Sequence, residues 1–101
     1  MTTPVDVVHN EAQARFEAAQ EGQLAVLEYR RVGNQILFTD THVPTELEGR
    51  GIGSALVKTG LNFARDHKLT VVPLCPFVKS YIERKPEYQS LVKQGSSGGF
   101  A

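Results

Sequence analysis

Gly49-Arg50-Gly51-Ile52-Gly53-Ser54-Ala55-Leu56-Val57-Lys58 is the stretch at which the sequence changes its period. From about Gly51 to His67 the polar residues Ser54, Lys58, Asn62 and Arg65 recur three or four apart. Ile52, Ala55, Leu56, Val57, Leu61, Phe63 and Ala64 fill the positions between them. That repeat, with a broad apolar side, is an amphipathic helix laid on a sheet. Gly60 inside it weakens the helix by about 1 kcal/mol relative to Ala; close packing on the sheet is a reason for it to be there.

Upstream the period is two. Gln35 to Thr41 reads as a strand with Ile36 and Phe38 on one face and Leu37 and Thr39 on the other. Val32-Gly33-Asn34 turns the chain before it. Leu24 to Tyr29 is apolar on both parities except at Glu28, as a more buried strand should be. Gln20-Glu21-Gly22-Gln23 is a second turn, and Phe16 and Ala18 alternate with Arg15 and Glu17 in a short, half-exposed strand. Residues 1–12 are polar and weakly patterned. Three strands joined by two short turns imply an antiparallel meander.

Downstream, Leu69 to Cys75 is a fourth strand. A strand, a crossover helix and a strand form a right-handed βαβ unit, so strand four should lie parallel to strand three. Phe77 to Arg84 reads as a second helix, with Phe77, Tyr81, Val78 and Ile82 facing in, Pro86 ends it, and Glu87 to Lys93 adds a further turn. Gln94-Gly95-Ser96-Ser97-Gly98-Gly99 is a flexible tail. The expected fold is α+β: a mixed sheet of three antiparallel strands, then the βαβ unit, then a C-terminal helix. It forms one domain over 1–93 with a tail over 94–101.

Composition narrows the function. Eleven basic and eleven acidic residues balance, and nucleic-acid binders ordinarily carry a basic excess. A single Cys excludes an internal disulfide framework and a Cys-rich zinc site, and His9, His42, His67 and Cys75 lack metal-ligand spacing. The first ten residues have no Lys or Arg and no apolar core, unlike a secretory signal. The longest apolar run, Val71 to Val78, has eight residues and two prolines, too few to span a bilayer. The expectation is a cytoplasmic protein without a membrane, nucleic-acid or metal partner, monomeric or weakly homodimeric.

The topology locates a cleft outside the carboxyl ends of the parallel strands. Asp40 to Val43, Gly49 to Ser54 and Leu74-Cys75-Pro76 meet there. Pro73 has no N–H to give to a ladder, so strands three and four are expected to splay near it and free strand three for an extended, amide-bearing ligand. Gly49, Gly51 and Gly53 allow close backbone approach to an anion, which the helix's first N–H groups and dipole would favour, with Arg50 adding charge. Two other phosphate motifs fail. Val57, not Gly, precedes Lys58-Thr59, and no carboxylate follows on strand four where a dinucleotide fold needs one.

Leu47-Glu48-Gly49-Arg50-Gly51-Ile52-Gly53-Ser54-Ala55-Leu56 resembles the acetyl-CoA pyrophosphate loop of the GNAT N-acetyltransferase superfamily, Q/R-x-x-G-x-G/A. Gly51 and Gly53 match its small positions; Glu48 stands where Gln or Arg is usual. Together with Ala25 to Tyr29, Phe38 to Pro44, Val72 to Val78 and Pro86-Glu87-Tyr88, the loop is similar to the small, single-domain YjdJ-type branch of that superfamily, over about residues 7–93. The resemblance implies acetyl-CoA as cosubstrate, held by Val43, Glu48, Gly49, Arg50, Gly51, Ile52, Gly53 and Ser54, with transfer of its acetyl group to an amine of a small molecule or a protein lysine.

That chemistry needs a base, an oxyanion donor and a proton for the leaving thiolate. His42, with an ordinary pKa of about 6.5, is the base candidate and Asp40 the weaker one. A backbone N–H near Val43 would serve the oxyanion. Family position points to Tyr81 for the thiol proton; Cys75, at the cleft edge, is an alternative acid or an acyl-carrying nucleophile. Direct attack by the amine is the expected route. A non-catalytic module that binds CoA or acetyl-CoA is the alternative function.

Overall fold

A computed structural model describes residues 5–92. Seven regular elements follow in chain order: β1 (Val8–Asn10), β2 (Arg15–Gln20), β3 (Gln23–Val32), β4 (Gln35–His42), α1 (Ile52–Asp66), β5 (Thr70–Pro73) and α2 (Pro76–Glu83). The strands form one sheet in sequence order, antiparallel from β1 to β4, with β5 parallel to β4. The meander, the crossover helix and the parallel last pair are those expected. The proposed tail over 94–101 lies outside the described residues.

One strand more than expected is present. β1 pairs with β2 through Val8↔Glu17 and Asn10↔Arg15. Three residues are too few to show an alternation, which is why this stretch reads as unpatterned. His9, expected to be peripheral, stacks on Phe16 at 4.2 Å between ring centroids and shares a 2.6 Å hydrogen bond with the Tyr29 hydroxyl. Burial lowers its pKa below the ordinary histidine value, with Glu11 opposing the shift.

The turn between β2 and β3 holds Glu21 and Gly22 at φ of 53° and 77°. This mirror-image turn matches the twist of the two strands. β3 and β4 pair from Val32↔Gln35 to Tyr29↔Phe38, then from Glu28↔Asp40 to Val26↔His42. Thr39 is therefore the extra residue of a β-bulge, and its hydroxyl donates to the Glu28 carbonyl at 3.3 Å.

α1 lies across the sheet on the side of Phe16, Ala18, Ala25, Leu27, Tyr29, Ile36 and Phe38, all buried with Leu56, Val57, Leu61 and Ala64. A Cβ at Gly60 would stand 3.0 Å from Phe38 Cε1 and 3.2 Å from Leu27 Cδ2. The glycine is the close approach of helix to sheet that the sequence suggested. α2 buries Val78, Tyr81 and Ile82. Those three were expected to face in, but Phe77, expected with them, is instead 40% exposed. The buried set is spaced i, i+3, i+4 from Val78, which turns Phe77 off that face. Among the described residues no helix is long and apolar enough to cross a membrane.

Candidate functional site

The parallel ladder of β4 and β5 runs from Gln35↔Thr70 to Phe38↔Pro73 and stops there. Cys75 N–H still donates to the Phe38 carbonyl at 2.9 Å, and Pro76 then starts α2. β4 continues four residues further, Thr39 to His42, paired with β3 only. The missing N–H of Pro73 and the turn into α2 thus leave the carboxyl half of β4 with a free edge.

That edge opens on a cleft of about 720 Å³, within the usual size range of small-molecule sites. Thr41, His42, Val43 and Pro44 form one wall; Glu48, Gly49, Gly51, Ile52, Gly53 and Ser54 form the other; Leu24 and Phe77 stand at its lips. Seven of the residues proposed from sequence to hold the cosubstrate, Val43, Glu48, Gly49, Gly51, Ile52, Gly53 and Ser54, line this one cleft, together with His42.

The glycines have two separate reasons. Gly49 and Gly51 stand at φ of 84° and 77°, a backbone that side-chain-bearing residues rarely adopt, while a Cβ at either would touch nothing. Their role is conformational. Gly53 is there for space: a Cβ would lie 3.0 Å from Phe77 Cζ. Gly51 begins α1 with no side-chain cap, so the first-turn N–H groups of the helix are not satisfied by a capping side chain. They provide anion-binding donors at the cleft wall.

Arg50 is turned elsewhere. Its Nη1 and Nη2 donate to Glu21 Oε2 and Oε1 at 2.5 and 3.4 Å. The pairing holds the Glu21 carboxyl below its usual range and raises Arg50. Arg50 is not among the residues lining the cleft.

The bulge at Thr39 sorts the next residues by face. Thr41 pairs with Leu27 on the side of α1, while Asp40 and His42 pair with Glu28 and Val26 on the side facing away. Cys75 accordingly meets Thr41: its buried Sγ lies 3.3 Å from Thr41 Oγ1. His42 gathers with Glu28 and Asp40, a side-chain ligand atom from each lying within 4.8 Å of the others. The group brings two carboxylates and an imidazole together on one face of the sheet. Sequence reading named His42 and Asp40 but not Glu28. Its signal was there: Glu28 is the one polar residue in the otherwise apolar Leu24–Tyr29 run.

Tyr81 does not line the cleft. It is buried beside Tyr88, with ring centroids 6.2 Å apart, and Lys85 Nζ lies 5.9 Å from its ring centre. Burial pushes its hydroxyl pKa up, with Tyr88 and Glu87 adding to the shift.

Comparison with known proteins gives a consistent result. The profile of the GCN5-related N-acetyl-transferase family matches residues 15–91. Protein NATD1 of Gallus gallus is 32% identical over 91 residues, covering 87% of this chain and 83% of that protein. Protein NATD1 of Homo sapiens is also 32% identical over 91 residues, covering 80% of its length. A GCN5-like protein of Staphylococcus aureus, solved by NMR, superposes with a TM-score of 0.70 at 28% identity, covering 87% of both chains.

Proposed function

The chain belongs to the GCN5-related N-acetyltransferase family, and from that premise we propose that it transfers the acetyl group of acetyl-CoA to an amine at the cleft between β4 and α1. One observation carries the reading: the uncapped start of α1 and the carboxyl half of β4, free on the side that β5 has left, line the same cleft. The first supplies N–H donors for a diphosphate. The second supplies a strand edge for the amide-bearing pantetheine arm, laid along β4 where β5 has turned away. Phe77 and Leu24 give apolar contact at the lips.

Bond by bond, the amine nitrogen attacks the thioester carbonyl carbon, the C–S bond breaks, the nitrogen loses a proton and the leaving thiolate gains one. His42 takes the amine proton, with Asp40 and Glu28 beside it to stabilise the imidazolium that forms. The amine approaches from the sheet face that carries these three residues. The backbone N–H of Val43 meets the carbonyl oxygen. Cys75 does not itself line the cleft but touches it through the Thr41 hydroxyl, by which its proton passes to the thiolate. Tyr81 is a packing residue in this reading: it lies outside the cleft, against Tyr88 and Lys85, which do not line it either.

Purified protein incubated with acetyl-CoA and a panel of amines tests this by release of free thiol. Amine-dependent release that falls at least about a hundredfold in His42→Ala supports the assignment, that being the low end of what a general base contributes. Binding of acetyl-CoA without release for any amine would replace the enzyme reading with a CoA-binding module.

A further inference from the structure

The cleft is lined by one carboxylate, Glu48, and by no Lys or Arg side chain. A diphosphate there meets backbone amides and a like charge. The nearest guanidinium in sequence, Arg50, sits between Gly49 and Gly51 but is turned to Glu21. We propose, resting on the acetyl-CoA reading above, that Glu21 is a positioning residue for the anion loop: its carboxylate holds Arg50 in the ion pair seen here and yields the guanidinium to the diphosphate of the incoming thiol carrier.

Three observations converge on this role. Glu21 occupies a turn position at φ of 53°, where Gly, Asn or Asp is favoured and another L-residue costs on the order of 1 kcal/mol. Turn chemistry alone does not select Glu, whereas a carboxylate aimed at Arg50 does. Leu24, three residues along the same hairpin, lines the cleft, so the turn belongs to the site's surroundings. The pair is also solvent-accessible, with 43% and 59% of its two side chains exposed. Ion pairs of this kind are weak enough to exchange. The guanidinium fork suits two phosphate oxygens as well as a carboxylate. Glycine on both sides of Arg50 gives the segment the backbone freedom to turn.

Glu21 therefore works against binding through Arg50 alone, and removing the carboxylate should help only while Arg50 is present. Calorimetric titration of CoA into wild type, Glu21→Gln, Arg50→Gln and the double variant tests this. Glu21→Gln should bind about threefold more tightly, a change of the size an exposed ion pair supports. Arg50→Gln should bind about tenfold more weakly, as loss of a charge-assisted phosphate contact does, and the double variant should match Arg50→Gln. In the wild type, the Glu21 side-chain carboxyl carbon followed by NMR should move on CoA addition toward the position of an unpaired glutamate. Unchanged or weaker binding in Glu21→Gln, or an equal gain with Arg50 absent, would overturn the exchange while leaving the cosubstrate reading intact. Absence of CoA binding in all four proteins would overturn both.

Discussion

The two halves of β4 share one strand and have opposite fates. Gln35 to Phe38 is paired on both sides, by β3 and β5, and Ile36 and Phe38 are sealed under α1. Thr39 to His42 is paired on one side only, and its residues are polar and half-buried or exposed. Between them sit a bulge in β4 itself, opposite β3, and a proline at the end of β5. The first half closes the core; the second makes a site because a hydrogen-bonding partner has been withdrawn from it. The contrast implies that substitutions in the first half act on stability and those in the second on chemistry.

The largest expected effect breaks the sealed half. Phe38→Ala should cost about 3–5 kcal/mol, read as a lower urea midpoint. Thr41→Ala, three residues on, should cost less than about 1.5 kcal/mol, the worth of one hydrogen bond, and show its effect in acetyl transfer instead. Equal destabilisation by the two would erase the distinction between the halves.

Gly51→Val asks how much the helix start depends on its backbone. A β-branched residue at φ of 77° should cost about 1–2 kcal/mol and weaken CoA binding at least about tenfold by re-aiming the first-turn amides. A variant with wild-type affinity would detach the loop from the site.

Gly60→Ala sharpens the reading of the packed face. Alanine gains about 1 kcal/mol of helix propensity. The new Cβ would press on Phe38 and Leu27, both fully buried, and overpacking of this kind costs about 1–3 kcal/mol. A net loss of about 1 kcal/mol is expected by thermal unfolding; a gain would mean that the two side chains can move aside.

Smallest is the pH response of β1. Burial keeps His9 neutral in the folded protein below its ordinary pKa. As pH falls through about 6.5 the unfolded chain takes up the proton first. Stability should therefore be level above neutral pH and decline on acidification until the folded-state pKa is passed. Replacing His9 with Gln should remove this part of the decline in melting temperature between pH 7.5 and 5.5. An unaltered profile would assign the decline to other groups.

What the sequence disclosed, and what it hid, follows the same division. The switch from alternation to a 3.6-residue repeat at Gly51 specified the strand–helix–strand core. Pro73 marked where the parallel ladder ends, because a missing N–H is visible in any sequence. β1 escaped notice because three residues carry no period. The partner of Cys75 and the grouping of Glu28 with Asp40 and His42 depend on register across the Thr39 bulge, a tertiary feature that shifts which face each residue takes. Arg50 looked like a cleft cation because its own segment suggests one. Its pairing with Glu21 spans 29 residues, and no local pattern records that contact.

Titration of CoA into isotope-labelled protein, followed at the backbone amides, tests the central claim most directly. Large shifts centred on Thr41 to Val43 and Gly49 to Ser54, with Gln35 to Phe38 unmoved, are expected. Shifts centred elsewhere on the sheet, or none up to millimolar CoA, would contradict it.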